Sequence, residues 1–256
     1  MLSVIAWILV VREAGTMSDD MGMDMGMDMG MGAEEGVRDR LTMDADALAF
    51  AAVWVAMMIA MMFPTAAPMI LTFSRVQSGR RASGGTYVPT ALFVATYLAV
   101  WAAVGVAGFV LASAFGGYAD RHDLDADALA RVAGGLFLAA GIYQLSPWKH
   151  RCLAKCRGPM HYVLGSWRDG YGGAVLMGGE HALYCAGCCW LLFLILFPIG
   201  VMNVAVMGAV TCLILLEKVW RQGPAVARAI GVALIVVGLI TLAWPSWIAD
   251  NLEISG

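Results

Sequence analysis

Residues Val88–Ala114 read VPTALFVATYLAVWAAVGVAGFVLASA, an apolar run without a single acid or base. A bilayer core is about 30 Å thick, so a spanning helix needs roughly 20 such residues at about 1.5 Å each. This run crosses with a margin. Working outward from it, the stretches Ala45–Phe63, Ala128–Leu145, Ala174–Phe197, Gly200–Leu216 and Ala229–Trp244 are of the same kind. The expected fold is therefore all-α, a polytopic transmembrane helical bundle of six full spans. Met1–Val11 is apolar but only about half the length of a span, and it lacks the basic start and cleavage site of a signal peptide. It reads as an incomplete first span or a membrane-surface anchor. Composition agrees: 61% of residues are hydrophobic and 14% charged, far too little charge to cover a soluble domain. The net charge of −3 and the lack of a basic, aromatic patch give no reason to expect a nucleic-acid partner. The lipid bilayer is the first partner implied.

The loop charges set the orientation. Ser74–Thr86 holds Arg75, Arg80 and Arg81 without an acid. Trp148–Gly170 holds Lys149, Arg151, Lys155, Arg157 and Arg168 against Asp169, and Glu217–Arg228 adds Lys218, Arg221 and Arg228. Basic loops stay on the cytoplasmic side of a cell membrane, so loops 74–86, 148–170 and 217–228 are expected there. The acids fall on the other side, from Asp19 to Asp46 and again at Asp120, Asp123, Asp125 and Asp127. The chain then divides into an N-terminal part (1–44) with an extracytoplasmic Met/Asp/Gly-rich segment, a helical domain (45–244) and an extracytoplasmic tail (245–256). Pro64 and Pro68 are expected to end the first span. Pro198 and Gly200 should turn the chain between two antiparallel helices. Gly105 with Gly108, Gly134 with Gly135, and Gly231 with Gly238 permit close helix contact.

Met alternates with Gly or Asp through Met21, Met23, Met25, Met27, Met29 and Met31. Thioether sulfur is a soft donor that suits Cu(I) and has no proton to lose. Gly leaves the chain free to wrap an ion, and Asp attracts cations. A low-complexity linker is the plainer account, but such linkers favour Ser, Gly, Pro and Glu over Met.

The span from Ala174 contains Met177-Gly-Gly-Glu180-His181-Ala-Leu-Tyr184-Cys185-Ala-Gly-Cys188-Cys189-Trp190. Positions three and four apart share a helix face, so Met177, His181, Cys185 and Cys188 form one stripe with Cys189 at its edge. One straight helix cannot close a tetrahedral site from such positions, since the outer donors lie about 10 Å apart. A second helix has to contribute. Small buried thiols would be the structural account. Ionisable Glu180 and His181 at mid-membrane depth favour function, because such groups are costly in lipid. Glu180 is expected to be protonated or hydrogen-bonded across another helix contact. Met57 with Met61, and Met58 with Met62, stripe the first span at the same expected depth; packing alone can explain them unless they face the His/Cys helix. Met202 and Asn203 could add donors near the outer face. Cys152 and Cys156 lie among Lys149, Arg151, Lys155 and Arg157, which should favour thiolate, and suit a metal exit site, a redox pair or neither.

The stretches Met57–Pro68 (MMIAMMFPTAAP), Gly141–Arg157 (GIYQLSPWKHRCLAKCR), His181–Trp190 (HALYCAGCCW), Gly200–Asn203 (GVMN) and Glu217-Lys218 resemble a bacterial and archaeal family of integral membrane proteins predicted to bind metal. The resemblance runs from about Ala45 to Arg228; it departs in the short first span and in Ala182, where the pattern has Gly. It implies metal binding in a membrane and no particular reaction. The residues themselves favour a protein that captures Cu(I), or another soft metal ion, outside and transports it or loads a partner apoprotein. The alternative is a membrane-embedded copper-dependent oxidoreductase, or a subunit of one; its imidazoles are few, since only His181 lies within a span. The third reading is a helical scaffold within a larger membrane complex.

Overall fold

The computed structural model describes residues 3, 5–12, 37–42, 47–84, 87–199 and 203–245. Among these, every regular element is a helix. In chain order they are α1 (Val37–Thr42), α2 (Ala47–Ala82), α3 (Thr90–Arg121), α4 (Ala126–Leu145), α5 (Pro147–Arg157), α6 (Pro159–Gly165), α7 (Gly170–Leu194), α8 (Leu196–Ile199), α9 (Val204–Val219) and α10 (Gly223–Ala243). The methionines Met21 to Met31, Met202 and tail residues 246–256 lie outside the described residues.

Five helical stretches are long and apolar enough to cross a membrane: Leu48–Ala82, Thr90–Arg121, Ala126–Leu145, Gly170–Pro198 and Gly223–Ala243. The sixth expected span, Gly200–Leu216, is realised as α9, whose 16 residues reach about 24 Å. It falls short because Asn203, outside the helix, caps it by accepting the Val206 N–H at 3.0 Å. That cap uses the side chain that the sequence offered as a metal donor. Residues 5–12 are helical as well, with Ala6 and Val10 buried.

Glycines set the helix spacing. α4 and α10 run antiparallel on a seam where Gly134 meets Gly238 and Gly141 meets Gly231; a Cβ at Gly141 would stand 2.7 Å from the Gly231 carbonyl oxygen. Gly135 faces open space and Gly108 only ordinary contact, so neither belongs to a tight seam. Gly105 on α3 makes room for the Trp54 ring of α2, whose indole N–H donates to the Trp101 carbonyl at 3.0 Å. α3 and α7 are parallel: Phe93 meets Gly178, Tyr97 meets Cys185, and Trp101 meets Phe193. Val110, Leu111, Leu183 and Leu239 stay exposed on the outside, as side chains facing lipid would.

Two expectations are corrected. Pro64 and Pro68 do not end the first span, since α2 runs through both to Ala82. Pro64 has no N–H for the Ala60 carbonyl, and the Ser3 hydroxyl donates to that carbonyl instead at 2.9 Å. Neighbouring side chains thus keep the helix satisfied where a proline would break it in water. The basic stretch 148–170 is not an open loop, because α5 and α6 fill it. Ser146 accepts the Lys149 N–H at 3.2 Å and Pro147 occupies the first turn, so α5 starts as soon as α4 stops.

Candidate metal centre

Helix α7 presents the expected face inward: His181, Cys185, Cys188 and Cys189 are all buried. Neighbours then close around Cys185 from four other helices. From α3, Tyr97 Oη lies 3.1 Å from Cys185 Sγ. From α9, Lys218 Nζ donates to the same sulfur at 3.1 Å, and to Thr65 Oγ1 of α2 at 3.3 Å. From α5, the half-buried Cys156 packs against the core that holds Cys185 and Cys188. α5 approaches closely because Gly187 has no side chain; a Cβ there would stand 3.0 Å from Cys152 Sγ. Met57 and Met61, with Met58 and Met62, are buried in the same core as the three cysteines of α7.

The sulfurs are not yet aimed at one point. Cys188 and Cys189 both donate to the Cys185 carbonyl, at 3.1 and 2.9 Å. Among the described residues no three His, Cys, Asp or Glu side chains stand in a metal-holding arrangement. Thiol rotamers would have to turn before an ion could sit among them. In donor chemistry the group fits a soft ion: buried sulfur from two helices, with more thioether sulfur behind it.

His181 stands one turn before Cys185 and is 2% exposed. Its ring lies among Phe93, Tyr97 and Tyr162, with centroids 6.1, 5.8 and 5.8 Å away. Neither ring nitrogen has a hydrogen-bond partner. Buried polar atoms are rarely left so, and a neutral imidazole with a free nitrogen is a ready metal ligand. Met177 is buried too, but packs with Met69, Phe73 and Tyr162 in a separate apolar cluster, and its carbonyl accepts the Tyr162 hydroxyl at 3.0 Å. His181 therefore bridges two clusters, and Met177 does not reach the cysteines' cluster.

Other sequence expectations change. Glu180 is 37% exposed and pairs with Arg168 at 3.1 Å, so it is not isolated in lipid; Arg168, just before α7, folds back to meet it. The expected thiolates of α5 are not favoured. Burial, then the nearby Cys188, pushes the Cys152 thiol up. Hydrogen bonds to Cys185 and Cys188, then burial, push Cys156 well above the ordinary thiol range. Two of the four basic neighbours are engaged elsewhere: Lys149 donates to Glu217 at 2.7 Å and also to Gln144, while Arg157 donates to the Glu217 and Arg221 carbonyls. Lys218, Tyr97 and Thr65 were not among the sequence candidates. Lys218 carries a further signal, a charge at the end of an apolar run, beyond its use for sidedness and in the family resemblance.

A family model described as PpoB2, copper chaperone, matches residues 51–241, from within α2 to within α10. No curated protein and no solved structure matches the chain.

Proposed function

The chain belongs to the PpoB2 family of copper chaperones, and from that membership we propose that it binds Cu(I) as cargo among the thiols where α5, α7 and α9 meet. The supporting observation is the burial of Cys185, Cys188 and Cys189 on one helix face, with the half-buried Cys156 of α5 packed against the same core. Cu(I) is soft and accepts low coordination, so two of these sulfurs suffice. His181, with its unpartnered nitrogens, supplies a neighbouring stop, and Met57 and Met61 supply thioethers beside the cluster. Met21, Met23, Met25, Met27, Met29 and Met31 collect the ion first, outside a cell membrane whose cytoplasmic side carries the basic segments. Movement from thioether to thiolate and on to an acceptor apoprotein is exchange between donors of like softness and needs no change of oxidation state.

The experiment is elemental analysis of detergent-purified protein after loading with Cu(I). Wild type should hold copper, and Cys185→Ser/Cys188→Ser should lose most of it. Full copper content in the double variant would overturn the proposal.

A further inference from the structure

A cluster of thiols has no need of a lysine, yet Lys218 stands in the middle of this one. Its side chain is buried, at 7% exposure, and donates to Cys185 Sγ and to the Thr65 hydroxyl. The acid next to it in sequence, Glu217, is taken by Lys149 and Gln144. Among the described residues no ion pair joins Lys218 to a carboxylate. A buried ammonium that lacks an opposite charge is expensive. Its nearest polar neighbours, besides one hydroxyl, are sulfur.

We propose that Lys218 sets the charge selectivity of this site, admitting a monovalent soft ion and disfavouring a divalent one. The inference rests on the copper-site reading above. The arithmetic is short. Two thiolates around a monovalent ion carry one net negative charge, and the ammonium cancels it. The same two thiolates around a divalent ion are already neutral, which leaves the Lys218 charge uncompensated in a buried place. Zn(II) binds thiolates tightly in its own right, so cysteines alone would not exclude it. A positive charge fixed within hydrogen-bonding distance of the ligand sulfur discriminates by ion charge, a property that ligand softness does not supply.

The test uses the full-length protein in detergent and titrates Cu(I), Ag(I) and Zn(II), each against a competing chelator of known affinity. Lys218→Met keeps the volume and removes the charge; Lys218→Arg keeps the charge. Lys218→Met should lower the ratio of Cu(I) to Zn(II) affinity by about 30-fold, a discounted value for one unit charge in a partly screened core. Ag(I) should move with Cu(I), and Lys218→Arg should stay near the wild-type ratio. A Lys218→Met protein with an unchanged ratio, including one in which all three affinities fall together, would overturn the inference and leave Lys218 a packing residue. Failure of the copper-site reading would look different, since Cys185→Ser/Cys188→Ser would then bind Cu(I) and Ag(I) as wild type does.

Discussion

Lys149→Met would leave the Glu217 carboxylate buried without its cation. The two side chains are 0% and 2% exposed, 2.7 Å apart, and bridged by the Gln144 amide, which donates to Glu217 and accepts from Lys149. An exposed pair of this kind is worth about 1 kcal/mol at most. This one has no water to fall back on, and removing one partner of a buried pair costs about 3–5 kcal/mol. The hydrogen bond from Gln144 survives and recovers about 1 kcal/mol, so the net loss is about 2–4 kcal/mol. For a domain of this size each kcal/mol moves the melting temperature by about 2–4 °C, so an apparent drop of roughly 5–15 °C is expected. The assay is thermal unfolding in detergent, followed by tryptophan fluorescence. Lys149→Met/Glu217→Leu should recover most of the loss, because apolar groups of similar volume often replace a buried pair without penalty. A single variant that melts with wild type, or a double variant no better than the single, would refute this account of how α5 is held to α9.

Gly141→Leu should destabilise the α4–α10 seam by about 1–3 kcal/mol or more, because the new side chain meets backbone; Gly135→Leu, facing open space, should melt as wild type in the same assay. Alkylation of Cys152 at neutral pH should be slower than that of a small free thiol and should climb only above the ordinary thiol range, because burial raises its pKa and lowers the thiolate fraction; a rate equal to the free thiol's would contradict the burial argument. A peptide spanning Met21–Met31 should bind Cu(I) in preference to Zn(II), with little pH dependence near neutrality, since thioethers lose no proton on binding. Equal affinity for the two ions in isothermal titration would reduce the segment to a linker.

The sequence showed the long helices because a bilayer demands length and apolarity, and both are local properties. It showed the face shared by His181, Cys185 and Cys188 for the same reason: helical period is local, and all three are buried as that period required. What it did not show depends on contacts between distant segments. Nothing near Pro64 indicates that Ser3 satisfies the carbonyl freed by the proline. Nothing near Lys149 tells a basic loop from a helix whose first lysine turns inward to Glu217. Gly187 is the place where α5 comes close, a contact between helices that no local pattern records. Lys218 illustrates the general difficulty, since one residue served the sidedness rule and, unseen, the interior of the site.

The burial of the methionine stripe bears on chemical durability. Oxidation turns an apolar thioether into a polar, chiral sulfoxide that no longer fits a packed core. Met57, Met58, Met61 and Met62 are sealed to within 1% of full burial, whereas Met160 is 57% exposed. An oxidant dissolved in water therefore reaches Met160 at once, and the stripe only when helices part. The sulfoxide content of Met160 would measure how much oxidant the protein had met, and that of the stripe how often the bundle had opened.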